Sequence, residues 1–295
     1  MSFASLKKAS SGNSLARLTQ EIEKLNQPTQ TGADERLWKP ELDKSGNGFA
    51  VIRFLPAPDG EDMPWAKVWS HAFKGPQGQW YIENSLTTLG KDDPVGELNR
   101  ELWNSGKESD KAIARAQKRK LSYYSNIYVV SDPNHPENEG KVFLFRYGKK
   151  IFDKITAAMS PEFEDEKAIN PFDFWEGANF KLKIRKVDGY WNYDKSEFED
   201  TSKLFEDDSE ADKVWQAQHS LAEFTAASNF KSYDELKTRL DAVLSGTVKV
   251  GNVADDLDDA PVAKPKVDTK PVTTKVETPV VEEDDTLAYF EKLAE

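Results

Sequence analysis

No cysteine occurs in the 295 residues, which excludes disulfides, thiolate metal sites and cysteine nucleophiles. Histidine is nearly as scarce. His71, His135 and His219 stand far apart, so a metal at His71 would need carboxylates to complete its shell, and a hydrogen-bonded or surface histidine is the simpler expectation. No apolar run approaches the ~20 residues of a membrane helix. The opening MSFASLKKASSGNSLARL lacks the continuous apolar stretch of a signal peptide. Also missing are a phosphate-cradling glycine-rich loop, Gly-x-Ser-x-Gly and His-Glu-x-x-His. Acid pairs such as Asp165/Glu166 and Asp207/Asp208 read as solvated surface. The expectation is a soluble, cytoplasmic, non-enzymatic protein that does not enter membranes.

Charge is plentiful but segregated. The net charge is −12. Asn252–Glu295 holds twelve acids against five lysines, or −7, while Lys118–Lys154 holds eight cations against four acids, or +4. Opposite signs in different segments suggest different jobs. With 38% hydrophobic and 31% charged residues, a core spread over the whole chain is not expected, yet 8 Trp, 9 Tyr and 16 Phe must pack somewhere.

Three regions follow. Residues 1–30 form a flexible basic arm with Lys7, Lys8 and Arg17, and Leu15, Leu18, Ile22 and Leu25 share a helix face that Pro28 ends. Residues 31–251 form the core, with a separate lobe around 60–110. Residues 252–295 mix Pro, Val, Thr, Lys and Asp without period and read as a disordered acidic tail. Its last turn embeds Leu287, Phe290 and Leu293, spaced to dock on a partner. Within the core, strands are predicted over Phe49–Leu55, Trp65–Phe73, Gln79–Ile82, Tyr123–Val130, Lys141–Tyr147 and Phe180–Val187. Helices are predicted within Asp93–Gly106 and over Lys111–Lys120, Val214–Phe230 and Tyr233–Leu244, the last ended by Gly246. The fold class is therefore mainly β with peripheral helices (α+β), and an OB-like barrel is the natural architecture.

The stretch KRKLSYYSNIYVVSDPNHPENEGKVFLFRYGKK, Lys118–Lys150, is the most informative. Cations Lys118, Arg119, Lys120, Arg146, Lys149 and Lys150 flank rings Tyr123, Tyr124, Tyr128, Phe143, Phe145 and Tyr147. Cations follow a phosphate backbone and flat rings stack on unpaired bases, the footprint of a single-stranded nucleic-acid binder. Alternation puts Tyr124, Asn126 and Tyr128 on one side and Tyr123, Ser125 and Ile127 on the other, so the rings cannot all face solvent and some must be core. Phe180–Val187 alternates Lys181, Lys183 and Arg185 with apolar residues, giving one basic face. Gly189–Tyr193 then sets Tyr190, Trp191 and Tyr193 in a loop, read as ligand contact in preference to a plug over a barrel end.

These stretches resemble the single-stranded-DNA-binding proteins of T-even-type bacteriophages. LDKSGNGFAVIRFLP (Leu42–Pro56), Lys118–Ile155 and FWEGANFKLKIRKVDGYWNYDKSEF (Phe174–Phe198) carry the resemblance, which covers most of Lys39–Phe198. It implies an OB-fold core, an arm that self-associates cooperatively along DNA through Lys7, Lys8, Ala9, Ser10 and Ser11, and an acidic tail that recruits replication and recombination proteins such as polymerase, helicase loader and recombination mediator, in the cytoplasm of an infected bacterial host. It places DNA contacts at Arg119, Tyr123, Tyr124, Phe145, Arg146, Tyr190 and Tyr193, to which the residue pattern adds Lys118, Lys120, Tyr147, Lys149 and Lys150. Tyr124 stands where better-known relatives have Trp and Phe145 where they have Tyr, so each position keeps a ring.

Well-studied relatives bind zinc through one His and three Cys. Here the His is retained as His71, but the cysteine positions fall on Ser85, Asp93 and Gly96. Ser and Gly are poor or impossible side-chain zinc ligands, so no cofactor is expected, and the lobe must be held by packing, with Trp65, Trp69, Trp80, Tyr81 and Trp103 as candidates. The expected function is sequence-independent, cooperative single-stranded DNA binding in phage replication, recombination and repair. A protein-interaction scaffold, an RNA-binding OB protein and a carboxylate-dependent nuclease are the alternatives.

Overall fold

Short runs of alternating burial, punctuated by turn residues, build most of the protein. The computed structural model describes residues 34–246, apart from 164 and 188. The expectations for the arm and tail, including Lys7, Lys8, Ser10, Ser11, Leu287, Phe290 and Leu293, lie outside the described residues. From Arg36 on, the described residues belong to one compact unit.

Among the described residues nine strands join in a mixed sheet: β1 (Leu37–Trp38), β2 (Gly48–Phe54), β3 (Ala66–Lys74), β4 (Trp80–Asn84), β5 (Lys120–Ser131), β6 (Val142–Tyr147), β7 (Ala178–Val187), β8 (Tyr190–Asn192) and β9 (Glu197–Thr201). The hydrogen-bonded path runs β1-β6-β5-β2-β7-β8, with β3 on β5, β4 on β3 and β9 on β7. Only the β1–β6 pair is parallel. Among the same residues five α-helices accompany them: α1 (Pro94–Asn104), α2 (Glu108–Ala116), α3 (Lys149–Met159), α4 (Asp208–Gln216) and α5 (Tyr233–Ser245). The fold is thus α+β and mainly β.

One face of β2, β5, β6 and β7 supplies the main core. Ala50, Ile52, Phe54, Ile127, Val129, Phe180 and Leu182 are buried there with Ile151 and Ile155 of α3. A second cluster, Phe73, Tyr81, Val95, Leu240 and Val243, fastens α1 and α5 to the β3–β4 hairpin. Of the rings expected to hold this lobe, Tyr81 does so, stacked on Phe73 at 5.0 Å. Trp65 belongs to the main core, against Phe152 and Phe172. Trp69, Trp80 and Trp103 are half-buried, each beneath a cation.

Local signals explain the helix ends. Asp93 caps α1 with Pro94 at its first position. Ser232 and Glu235 form a capping box on α5, and Gly246 ends it at φ 75°. Three expectations need correction. Residues 214–230 are not one helix: α4 stops at Gln216, and 3-10 turns cover Ala222–Thr225 and Ala227–Asn229. Tertiary acceptors intervene, because Asn126 takes both backbone groups of His219 and the Glu61 carboxylate takes the N–H groups of Leu221 and Ala222. Lys118–Lys120 is not helical, since α2 ends at Ala116 and Lys120 opens β5. Tyr190–Asn192 is a strand, not a loop, paired with β7 across a turn at Gly189, whose φ is 88°.

Candidate nucleic-acid interface

The register of β5 divides the rings. Tyr123 faces Tyr147 and Ser125 faces Phe145, all on the side of Ile127 and Val129. Tyr123, Phe145 and Tyr147 are 6%, 5% and 4% exposed. Tyr123 stacks on Phe152 at 3.9 Å and Phe145 meets Trp38 edge-on at 5.4 Å. Tyr147 shares a hydrogen bond with Ser125 at 2.9 Å, and burial pushes its phenol well above the usual range. The expectation that these three rings are DNA platforms is corrected: a strand with apolar residues at every second position turns that whole side inward.

The opposite side of β5–β6 carries charge. Tyr124 pairs with Arg146. Arg146 is exposed, and its Nε donates to Ser122 Oγ at 3.2 Å. One face of the Tyr124 ring lies on Phe224, centroids 4.1 Å apart, so this ring is half-buried. Lys118, Arg119 and Lys120 lead into β5, also half-buried. The Arg119 guanidinium sits 4.1 Å from the Trp69 ring centroid, and Lys67 Nζ lies 5.5 Å from the same centroid. The sequence reading missed this Lys67–Trp69 pair as part of the cationic surface. Their i, i+2 spacing on a strand was the available signal.

At the end of β6, Gly148 caps α3 without a side-chain bond, and the first turn carries Lys149 and Lys150 and no acid. Both lysines are exposed, with Lys149 Nζ 2.9 Å from Asp153. Cations at the positive end of a helix are locally unfavourable by roughly 0.3–1 kcal/mol, a cost an anion there would relieve. Lys154, further along α3, donates to the Asp194 carbonyl at 3.2 Å, beside Tyr193. The helix therefore links the β5–β6 cations with the β8 rings. Tyr190 is 61% exposed. Trp191 and Tyr193 are half-buried against the main core.

The second basic face is not free. Lys181 Nζ lies 2.8 Å from Glu199 and Lys183 Nζ 2.7 Å from Glu197. The hydrogen bond to Glu199 raises the Lys181 pKa, and the one from Lys183 lowers that of Glu197. The acids come from β9, which pairs with β7.

The four positions implied for zinc do meet. Asp93 Oδ2 accepts from Ser85 Oγ at 2.9 Å and Leu86 N at 3.0 Å, and Oδ1 accepts from Val95 N at 3.0 Å and Gly96 N at 3.2 Å. His71 Nε2 lies 3.3 Å from Asp93 Oδ1, off the hydrogen-bond line, while Nδ1 donates to the Gln117 carbonyl at 2.9 Å. Burial alone would raise the Asp93 carboxyl, but the His71 contact, then Ser85 and Leu86, more than offset it and hold it below the usual range. This donor set does not fit zinc: one imidazole and one carboxylate already engaged by four donors cannot replace four N/S ligands. Among the described residues no group of three or more His, Asp or Glu is placed to hold a metal. No helix there is long and apolar enough to cross a membrane.

Comparison with known proteins gives one family model, described as gp32 DNA binding protein like, matching residues 46–244. The single-stranded DNA-binding protein of Enterobacteria phage T2 is 40% identical over 265 residues, covering 83% of this chain and 86% of its own. That of Enterobacteria phage T4 is 40% identical over 263 residues, with the same coverage. That of Enterobacteria phage RB70 is 38% identical over 117 residues, 38% of this chain and 96% of its own.

Proposed function

The chain belongs to the gp32 DNA binding protein like family, and from that premise we propose that it binds single-stranded DNA, without regard to sequence, in bacteriophage DNA replication. One observation carries the surface assignment: Lys118, Arg119 and Lys120 run onto the outer side of β5, where Tyr124 lies opposite the exposed Arg146. Phosphates would be neutralised there and at Lys149 and Lys150 of α3. The exposed Tyr190 is the foremost stacking ring, with Tyr124 and Tyr193 offering edges. Tyr123, Phe145 and Tyr147 act indirectly, by holding β5 and β6 in register. Binding of this kind is electrostatic and stacking in nature and needs no catalytic group.

Finer parts of the reading are proposals on the same footing: an OB-like barrel, roles in recombination and repair, self-association through Lys7, Lys8, Ser10 and Ser11, recruitment of replication and recombination proteins through Leu287, Phe290 and Leu293, a lobe without structural zinc, and action in the cytoplasm of the infected host. Closure of the acidic tail over the cations would weaken binding until DNA displaces it. The test is titration with fluorescent oligo-dT at two salt concentrations, beside oligo-U. Tight binding at low salt with log affinity falling linearly in log salt is expected. Salt-independent or absent binding would sink the reading, and a clear preference for oligo-U would move it to RNA.

A further inference from the structure

We propose that the Trp69–His71 segment of β3, braced from behind by Asp93, sets the direction of the basic segment Lys118–Lys120, making Trp69 and His71 positioning residues for nucleic-acid binding. This rests on the reading of those cations as phosphate contacts. The β3–β5 ladder ends at Ser70↔Lys120. Beyond it the chain leaves the sheet. Gln117 N and Lys118 N bond back to the Ile113 and Arg115 carbonyls of α2, and two side-chain attachments add a direction. The Arg119 guanidinium lies on the Trp69 ring at 4.1 Å. The Gln117 carbonyl, immediately before Lys118, accepts from His71 Nδ1 at 2.9 Å and from Asn99 Nδ2 at 3.3 Å, in a buried setting.

Both attachments start from a rigid base. Trp69 N donates to Thr88 Oγ1 at 2.8 Å, and Trp69 O accepts from Ser85 N at 2.8 Å. Ser85 and His71 both meet Asp93, 3% exposed, whose carboxylate also caps α1. His71 is 2% exposed and sits between the Asp93 carboxylate and the Gln117 carbonyl, so its ring has no second orientation that keeps both contacts. An apolar residue could fill that space but would take a donor from the Gln117 carbonyl and a polar neighbour from Asp93. What the imidazole adds is a directed hold on the residue that precedes the first cation.

The test uses the full chain and oligo-dT affinity as a function of salt. Trp69→Ala, at a half-buried surface position that should leave the fold intact, is expected to weaken binding several-fold and make the salt slope shallower by about 0.7, the share of one single-strand phosphate. Trp69→Phe should restore most of it, and Trp69→Ala should add nothing in an Arg119→Ala background. At the buried position His71→Asn, which keeps a donor near Nδ1, should retain the slope better than His71→Leu. A folded Trp69→Ala protein with the parental slope overturns the inference and leaves the DNA-binding reading standing. A parental protein that shows no salt-dependent binding overturns both.

Discussion

β5 and β7 both bring cations beside apolar or aromatic residues, β7 along its length and β5 at its start, yet they end in different electrostatic surroundings. β7 receives an acidic neighbour, β9, and Lys181 and Lys183 are spent on Glu199 and Glu197. β5 lies between β2, β3 and β6, and the cations at its start meet the Trp69 ring and a polar lobe in place of an acidic strand. Cross-strand partners, not strand composition, decide what each cation meets. The same strand teaches a second contrast. Tyr123 and Tyr124 are adjacent, but one is in the core and the other half in solvent.

The sharpest break of that contrast is Tyr123→Ala. It should cost roughly 3–5 kcal/mol of stability as a large-to-small core change, read as a lower denaturation midpoint. The exposed Tyr190→Ala should leave the midpoint alone and remove about 1–3 kcal/mol of oligo-dT binding. Equal stability loss at both would contradict the assigned faces.

Next is the lobe beside the start of β5. Asp93→Ala removes a buried helix cap and strands its donors, for roughly 3 kcal/mol. Because the folded Asp93 carboxyl is depressed, its contribution is present above the ordinary carboxyl value of about 3.9 and is lost as pH falls through the folded value. Asp93→Asn should therefore flatten the acid limb of the stability curve. A chelator should leave the parental melting temperature unchanged, and a drop would restore a metal to the lobe.

The charge comparison itself is tested by two double variants. Arg119→Ala with Arg146→Ala should lower the salt slope of binding by about 1.4, twice the ~0.7 of one single-strand phosphate. Lys181→Ala with Lys183→Ala should barely move it. The smallest effect, and the one that sharpens the comparison most, is a gain: Glu197→Gln with Glu199→Gln frees both lysines and should tighten binding modestly at low salt only. A slope change from the lysine pair as large as that from the arginine pair would erase the distinction between β5 and β7.

Much of this architecture was legible. The strands around Tyr123–Val130, Lys141–Tyr147 and Phe180–Val187 and a helix over Tyr233–Leu244 were foreseen because alternation and capping act within a few residues. α3 was missed, because Lys149 and Lys150 read only as cations flanking the rings. The break after Gln216 was missed because its cause, Asn126 and Glu61, lies about 90 and 160 residues away. The cationic segment was found, and alternation required some of its rings to be core, but not which: Tyr123, Phe145 and Tyr147, named as contacts, are buried.

Order along the chain was enough to point to the kind of protein through segregated charge and rings set among cations, since composition and period are local properties that survive without coordinates. Which rings face inward, which lysines are neutralised, and how His71, Ser85, Asp93 and Gly96 converge all depend on contacts between segments remote in the chain. Burial and Coulomb energy act through space, so those answers came only with the folded arrangement.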